Sequence, residues 1–159
     1  MQNTVVIAGA GHAAGQTIVS LRQGGFSGRI VLVGEEPYLP YQRPPLSKKF
    51  LAGELDVPRL LLRQEKFYDD HAVDVRLNTR VTHLEPGTRT ATLSTGDRLG
   101  YDKLVLATGS RVREVSLPGS RLPGPLSPGL ALRRRAYAWH APAATRRLRG
   151  AANAFVAVK

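Results

Sequence analysis

The stretch Val5-Val6-Ile7-Ala8-Gly9-Ala10-Gly11-His12-Ala13-Ala14-Gly15 decides the fold of this chain. Its first three residues form a short β-branched run, which is typical of a buried parallel strand. Glycines follow at once, so we expect the strand to end in a glycine turn. The apolar spacing is then helical from Ala13 to Leu21, until Gly24-Gly25 stops the helix. A second strand, Ile30–Val33, completes a predicted β-α-β unit.

This β-α-β layout is typical of dinucleotide-binding folds, in which each position has a mechanical task. Gly9 permits the tight turn out of the strand, and Gly11 lacks the Cβ that would hold a pyrophosphate away from the backbone. The first turn of the helix offers N–H groups and the positive end of its dipole to phosphate. Ala14 takes the third fingerprint position, although Gly15 leaves the phasing open by one residue.

Glu35 follows the second strand, where its carboxylate can accept hydrogen bonds from a ribose diol. A carboxylate there would repel a 2′-phosphate, so we expect an unphosphorylated AMP half. The glycines alone leave open whether the ligand is FAD or NAD. They also leave the alternative of an ordinary β-α-β unit whose glycines only shape a turn.

The amino-acid composition excludes several classes of protein and of functional site. The 159 residues contain no cysteine, which excludes disulfides, thiolate metal sites and a dithiol redox centre within the chain. We expect a cytoplasmic protein with no membrane association, because no signal sequence and no long apolar run is present. The net charge is +11, but every acidic residue lies at or before Glu114, so most of the basicity belongs to the last third of the chain. Positive and negative charges nearly cancel in the N-terminal part, so we do not expect that part to bind nucleic acid.

The remaining pattern predicts further elements along the chain. A proline-rich loop follows Glu35, and Ser47 can cap a short helix that ends at Gly53. A helix is predicted over Leu60–His71 and a strand over Val73–Leu77. An antiparallel meander is predicted over residues 80–85, 88–93 and 98–99, with turns at Pro86-Gly87 and Thr95-Gly96-Asp97. A last buried strand is predicted over residues 103–106.

Three segments carry a family resemblance: residues 5–13, Arg43-Pro44-Pro45-Leu46-Ser47-Lys48, and Tyr101-Asp102-Lys103-Leu104-Val105-Leu106-Ala107-Thr108-Gly109. Together they resemble the N-terminal part of the FAD-dependent NAD(P)H:ferredoxin and rubredoxin reductases, the putidaredoxin, rhodocoxin and dioxygenase-ferredoxin reductase type. The resemblance runs from Thr4 to about Gly124. The Arg-Pro-Pro-Leu-Ser-Lys element is the most specific part, and it favours FAD over NAD.

The resemblance implies a Rossmann-like FAD-binding half-domain and a set of cofactor-binding residues. Gly9, Gly11 and Ala13 would lie at the pyrophosphate and Glu35 at the adenosine ribose. Arg43 would lie near the pyrophosphate and ribityl chain, and Lys48 beside the isoalloxazine, where a cation favours reduced flavin. The backbone of Val81 would contact the adenine edge. The full set is Gly9, Gly11, His12, Ala13, Ala14, Glu35, Arg43, Lys48, Val81, Ala107, Thr108 and Gly109.

No catalytic acid, base or metal ligand is predicted. His12 is interpreted as a helix-entry residue, because nothing near it in the sequence completes an acid–base pair. His71 has no partner at the spacing of metal ligands. Whatever redox chemistry occurs must therefore belong to the cofactor.

The chain changes character after residue 124. Residues 125–159 are rich in Arg, Ala and Pro and contain no acidic residue. We interpret this tail as a frameshift product or a disordered segment, and sequencing of the locus would test the first. The alternative is a basic arm that binds nucleic acid or a membrane surface, with Arg133, Arg134 and Arg135 as phosphate contacts.

The expected parent function is transfer of hydride from NAD(P)H to FAD and of single electrons to a ferredoxin- or rubredoxin-type iron–sulfur protein. The nicotinamide domain of the family is expected to be missing from these residues. We therefore expect no reductase activity from this polypeptide, and weak FAD binding at best. A stand-alone nucleotide-binding module and a basic interaction protein are the alternatives.

Overall fold

A computed structural model of the protein describes residues 3–110. The predictions for the tail after residue 124 lie outside these residues. Eleven elements follow one another in the described part: β1 Thr4–Ala8, α1 His12–Gln23, β2 Arg29–Val33, a 3-10 helix Pro44–Ser47, α2 Val57–Leu60, α3 Glu65–Asp70, β3 Val73–Arg76, β4 Val81–Glu85, β5 Thr90–Leu93, β6 Arg98–Gly100 and β7 Lys103–Leu106. None of the helices in residues 3–110 combines the length and apolar character needed to cross a membrane.

A parallel sheet of four strands in the order β3-β2-β1-β7 forms the centre of the described part. β1 pairs with β2 from Thr4↔Arg29 to Ala8↔Val33, and with β7 from Val5↔Lys103 to Ala8↔Leu106. Strands buried on both faces need apolar side chains at every position, which explains the continuous run at residues 5–8. The predicted α/β class with a β-α-β unit is confirmed.

The two faces of the sheet are covered differently. Val5 and Ile7 pack with Ile18 of α1 and Tyr68 of α3 on one face. On the other face, Val6 and Val31 pack with an apolar group from the meander, Ala91, Leu93 and Leu99. The sheet therefore lies between a helical layer and a small antiparallel sheet.

The meander has the strand order β4-β5-β6, as predicted. A turn over residues 86–89 joins β4 to β5, closed by a hydrogen bond from the Arg89 N–H to the Pro86 carbonyl at 3.3 Å. The left-handed residue of this turn is Arg89, with a φ of 50°. Its side chain is exposed, and a positive φ is uncommon for a residue other than glycine.

The prediction of one helix over Leu60–His71 is wrong. Two short helices stand there, α2 and α3, and residues 61–64 between them are not helical. Leu61 forms an isolated antiparallel bridge with Tyr41, and the Leu62 N–H donates to the Pro40 carbonyl at 2.9 Å. The proline-rich loop thus takes the backbone hydrogen bonds that a continuous helix would have used.

The prediction of a helix from Ser47 to Gly53 is also wrong. The 3-10 helix begins at Pro44 and ends at Ser47, and residues 48–53 form turns. Pro44 and Pro45 explain why the helix starts before Ser47. The fixed φ of proline suits the first turn of a helix, and its missing N–H costs nothing there because the N–H groups of that turn have no partner within the helix.

Candidate functional site

The carboxyl ends of β1, β2 and β7 meet around Gly9. Gly9 has a φ of 110°, and its N–H donates to the Val33 carbonyl at 2.8 Å, which ties the end of β1 to the end of β2. A Cβ at Gly9 would collide with the carbonyl of Ala107 and touch the Thr108 nitrogen. The Ala107 N–H donates to the Ala8 carbonyl at 2.8 Å. Only glycine allows the chain after β7 to approach this closely.

Gly11 is the N-cap residue of α1, and the space beside it is open. A Cβ built on Gly11 would meet no heavy atom of the described residues within 4 Å. The first backbone bond of the helix runs from the Gly15 N–H to the Gly11 carbonyl at 3.0 Å. The N–H groups of residues 12–14 precede that bond, so the helix itself does not satisfy them. No acidic residue lies in the first turn of α1, so the positive end of the helix is not neutralised there.

The phasing of the third fingerprint position follows from packing. Ala14 is fully buried in the core cluster that joins α1 to the sheet. Gly15 is also buried, but a Cβ there would lie 3.2 Å from Pro40 Cβ and 3.3 Å from Leu62 Cδ1. Ala14 therefore sets the distance between helix and sheet, while Gly15 lets the proline-rich loop pack on α1.

Glu35 lies just after β2 and has a cationic partner that the sequence did not reveal. The Arg80 guanidinium donates to Glu35 Oε1 at 3.2 Å, and both side chains are about one third exposed. Gly34 fits under Ala10, since a Cβ at Gly34 would lie 2.6 Å from Ala10 Cβ. Because Ala8 and Val33 pair at the ends of β1 and β2, Glu35 follows β2 at the same edge of the sheet as the Gly9 turn.

Glu36, the next residue, joins two side chains of the following loop. Its Oε2 accepts a hydrogen bond from the Tyr41 hydroxyl at 2.7 Å, and its Oε1 accepts one from Arg43 at 2.9 Å. The Arg43 guanidinium also lies over the Tyr41 ring, 5.3 Å from its centroid. Arg43 is thereby held by Glu36, the residue that directly follows the predicted ribose-binding residue Glu35.

The other predicted site residues belong to several different elements. His12 and Ala13 are exposed at the start of α1, and Gly109 has a φ of 68° in the exposed segment after β7. Val81 begins β4 directly after Arg80, and its side chain packs against the core cluster that contains Val6 and Val31. Lys48 is exposed at the end of the 3-10 helix. Within residues 3–110, no hydrogen bond or ion pair joins its side chain to the Gly9 turn.

Sequence reasoning missed Arg80, Glu36 and Tyr41. Arg80 stands 45 residues from Glu35, and only the folded meander brings them together. Glu36 had a usable signal, because it stands directly beside the predicted ribose-binding residue Glu35 in the sequence. The hydroxyl of Tyr41 had no such signal.

A model of the pyridine nucleotide-disulphide oxidoreductase family matches residues 3–140. The chain belongs to this family. The match extends past residue 124, where the sequence predicts the family resemblance to end.

Individual relatives are ferredoxin-linked reductases. The chain is 42% identical over 120 residues to the ferredoxin–NAD(P)(+) reductase of Sphingomonas sp., covering 76% of this chain and 29% of the relative. It is 43% identical over 121 residues to rhodocoxin reductase of Rhodococcus erythropolis, covering 76% of this chain and 28% of the relative. The chain therefore spans less than a third of the length of these curated relatives.

A solved structure agrees with this similarity. The described fold superposes on a crystal structure of the covalent putidaredoxin reductase–putidaredoxin complex with a TM-score of 0.69 and 38% sequence identity. The alignment covers 72% of this chain and 27% of that chain. The resemblance to the putidaredoxin and rhodocoxin type of reductase is confirmed.

Proposed function

We propose that residues 3–110 form the adenosine and pyrophosphate side of an FAD site in an NAD(P)H-dependent flavoprotein reductase. The reductase would pass electrons to a ferredoxin- or rubredoxin-type iron–sulfur protein. Family membership supports the class of reaction, and the relatives named for ferredoxin and rhodocoxin support the class of acceptor. A cytoplasmic location is part of the same proposal.

The observation that carries this proposal is the open space at Gly11. It lies at the start of α1, where residues 12–14 leave three N–H groups unsatisfied by the helix, and no acid stands in that turn. Such a position binds phosphate well, because the N–H groups and the helix dipole act together on an anion. A side chain at this glycine would fill the space that a pyrophosphate needs.

The surrounding residues fit the other parts of FAD. Glu35 can accept hydrogen bonds from a ribose diol, and Arg80 holds its carboxylate in place. Arg43 would contact the pyrophosphate and ribityl chain, and Lys48 would favour the reduced ring. The backbone from Ala107 to Gly109 and that of Val81 would border the cofactor. When bound, FAD supplies the acceptance of hydride and the release of single electrons.

Replacement of Gly11 by valine tests the proposal directly. We expect Gly11→Val to weaken FAD binding by more than about tenfold, because the isopropyl group occupies the pyrophosphate position. The measurement is quenching of flavin fluorescence during titration of the 159-residue chain with FAD.

Gly100→Val is the matched control. A Cβ at Gly100 also meets nothing within 4 Å in the described part, but this glycine ends β6, far along the chain from the Gly9 turn. FAD affinity should be unchanged in this variant. Equal affinity of Gly11→Val and the unmodified chain would contradict the proposal, and tighter binding of AMP or NAD than of FAD would favour a stand-alone nucleotide-binding module.

A further inference from the structure

Glu36, Tyr41 and Arg43 form a closed triangle that the family motif does not explain. Each pair is in contact: carboxylate with phenol at 2.7 Å, carboxylate with guanidinium at 2.9 Å, and guanidinium with the phenol ring at 5.3 Å. Glu36 uses one carboxylate oxygen for each partner. The Arg43 side chain is restrained twice, by its bond to Glu36 and by its position over the Tyr41 ring. It therefore has far fewer accessible rotamers than a free arginine.

Tyr41 anchors the triangle to the core. Its side chain is 4% exposed and packs with Leu46 and Leu60. Its backbone bridges to Leu61, and the neighbouring Gln42 N–H donates to the Leu60 carbonyl at 2.8 Å. The phenol is thus fixed by packing on one side and by backbone pairing on the other.

We propose that Glu36 and Tyr41 are positioning residues that hold the Arg43 guanidinium beside the end of β2, ready to bind the diphosphate of FAD; this rests on the proposed function. The side chain of Arg43 is 47% exposed despite its contacts. A guanidinium has five N–H donors in a planar fork, so one bond to Glu36 leaves donors for phosphate oxygens.

The division of labour between Glu35 and Glu36 follows from their partners. Glu35 is held by Arg80 and stands where a ribose would bind, whereas Glu36 faces Tyr41 and Arg43. Burial and the hydrogen bond to Glu36 raise the pKa of Tyr41 well above its usual value. The hydroxyl therefore stays protonated and continues to donate to Glu36 across the physiological range.

Tyr41→Phe is the sharpest test, because it removes one hydroxyl, keeps the ring under the guanidinium and changes no charge. We expect the FAD dissociation constant to rise about fivefold, from loss of the restraint on Arg43. In an Arg43→Met chain, which has lost the guanidinium, the same substitution should change the dissociation constant no further. Tyr68→Phe, which deletes another buried phenol hydroxyl, is the matched control and should leave FAD affinity unchanged.

A merely structural role of Tyr41 would give a different result. Tyr41→Phe would then weaken FAD binding equally in the presence and absence of Arg43, and that outcome would overturn the inference. Unchanged FAD affinity of the single variant would overturn it as well.

A second measurement needs no flavin. The Nε–Hε proton of Arg43 should show a ring-current shift in the NMR spectrum of the free chain, because the guanidinium lies over Tyr41. We expect Glu36→Gln to abolish this shift, and persistence of the shift would overturn the inference. Failure of the unmodified chain to bind FAD would overturn the proposed function alone, since the NMR result would still decide the positioning role.

Discussion

The hydroxyl of Tyr68 lies in the core without a hydrogen-bond partner among residues 3–110. Its ring is 1% exposed and packs with Ile7 and Ile18. A buried polar group without a partner carries a desolvation cost that an apolar group avoids. We expect Tyr68→Phe to raise the free energy of unfolding by about 1 kcal/mol. Urea unfolding of the two chains measures this difference, and a lower stability of the variant would contradict it.

The same residue should give a signature at alkaline pH. Burial raises the pKa of Tyr68 to about 12, above the ordinary value of 10.0. The unfolded chain therefore ionises at a lower pH than the folded chain, so the free energy of unfolding is unaffected by Tyr68 titration below pH 10 and falls as the pH rises from 10 towards 12. Tyr68→Phe should make this loss shallower. Identical slopes of unfolding free energy against pH for the two chains would show that Tyr68 does not titrate in this way.

Residues whose structural role depends only on local backbone geometry could be predicted from the sequence. Gly9 and Gly11 follow a strand directly, and the turn and the helix start that they form involve only neighbouring residues. Glu35 follows the next strand in the same way. Arg80 could not be found, because its contact with Glu35 depends on where the meander folds over the sheet.

At the scale of elements, an ion-pair network joins β2, β3 and the turn after β5. Asp74 accepts from Arg29 at 2.6 Å and from Arg76 at 3.3 Å, and Arg76 also reaches Asp97 at 3.6 Å. Burial alone would raise the pKa of Asp74, but the hydrogen bonds from Arg76 and Arg29 outweigh it and lower that pKa. Asp74 therefore contributes to the free energy of unfolding above its ordinary pKa of 3.8, and this contribution is lost as the pH falls below that value.

We expect Asp74→Asn to lower the free energy of unfolding at neutral pH by about 1 kcal/mol, since both guanidinium groups are partly exposed. The variant should also lose less stability than the unmodified chain as the pH falls below 4. Asp70→Asn is the control, because its ion pair with Lys66 is exposed and should contribute almost nothing. Equal effects of the two substitutions in denaturant titrations would contradict the prediction.

Elements with a strong period were predicted well, and elements shaped by a distant loop were not. The run at residues 5–8 belongs to a strand that is buried at each of these positions, and in β5 and β6 buried residues alternate with less buried ones. Residues 60–71 contain apolar spacing that suits a helix, but Leu61 and Leu62 pair with the proline-rich loop instead. Local periodicity contains no information about such competition for backbone hydrogen bonds.

For the whole molecule, we expect a polypeptide of these 159 residues to show no reduction of a ferredoxin by NADH or NADPH, even with FAD added. The chain covers 29% and 28% of the length of the two curated reductases, so more than two thirds of each relative has no aligned counterpart in these residues. The assay is acceptor reduction followed by absorbance, with a full-length relative as the positive control. Sustained turnover by the purified chain would contradict the prediction.

The sheet order has a consequence for how the protein is made. β1 is completed only when β7 pairs with it, and some hundred residues separate the two strands in the chain. The close approach of Ala107 to Gly9 therefore forms after every other described element has been synthesised. A ribosome paused before this point would hold a nascent chain in which β1 lacks its β7 neighbour and the Gly9 turn lacks the adjoining backbone of Ala107. Under the proposed function, we therefore expect the nascent chain to bind FAD only after β7 has been synthesised and has paired with β1.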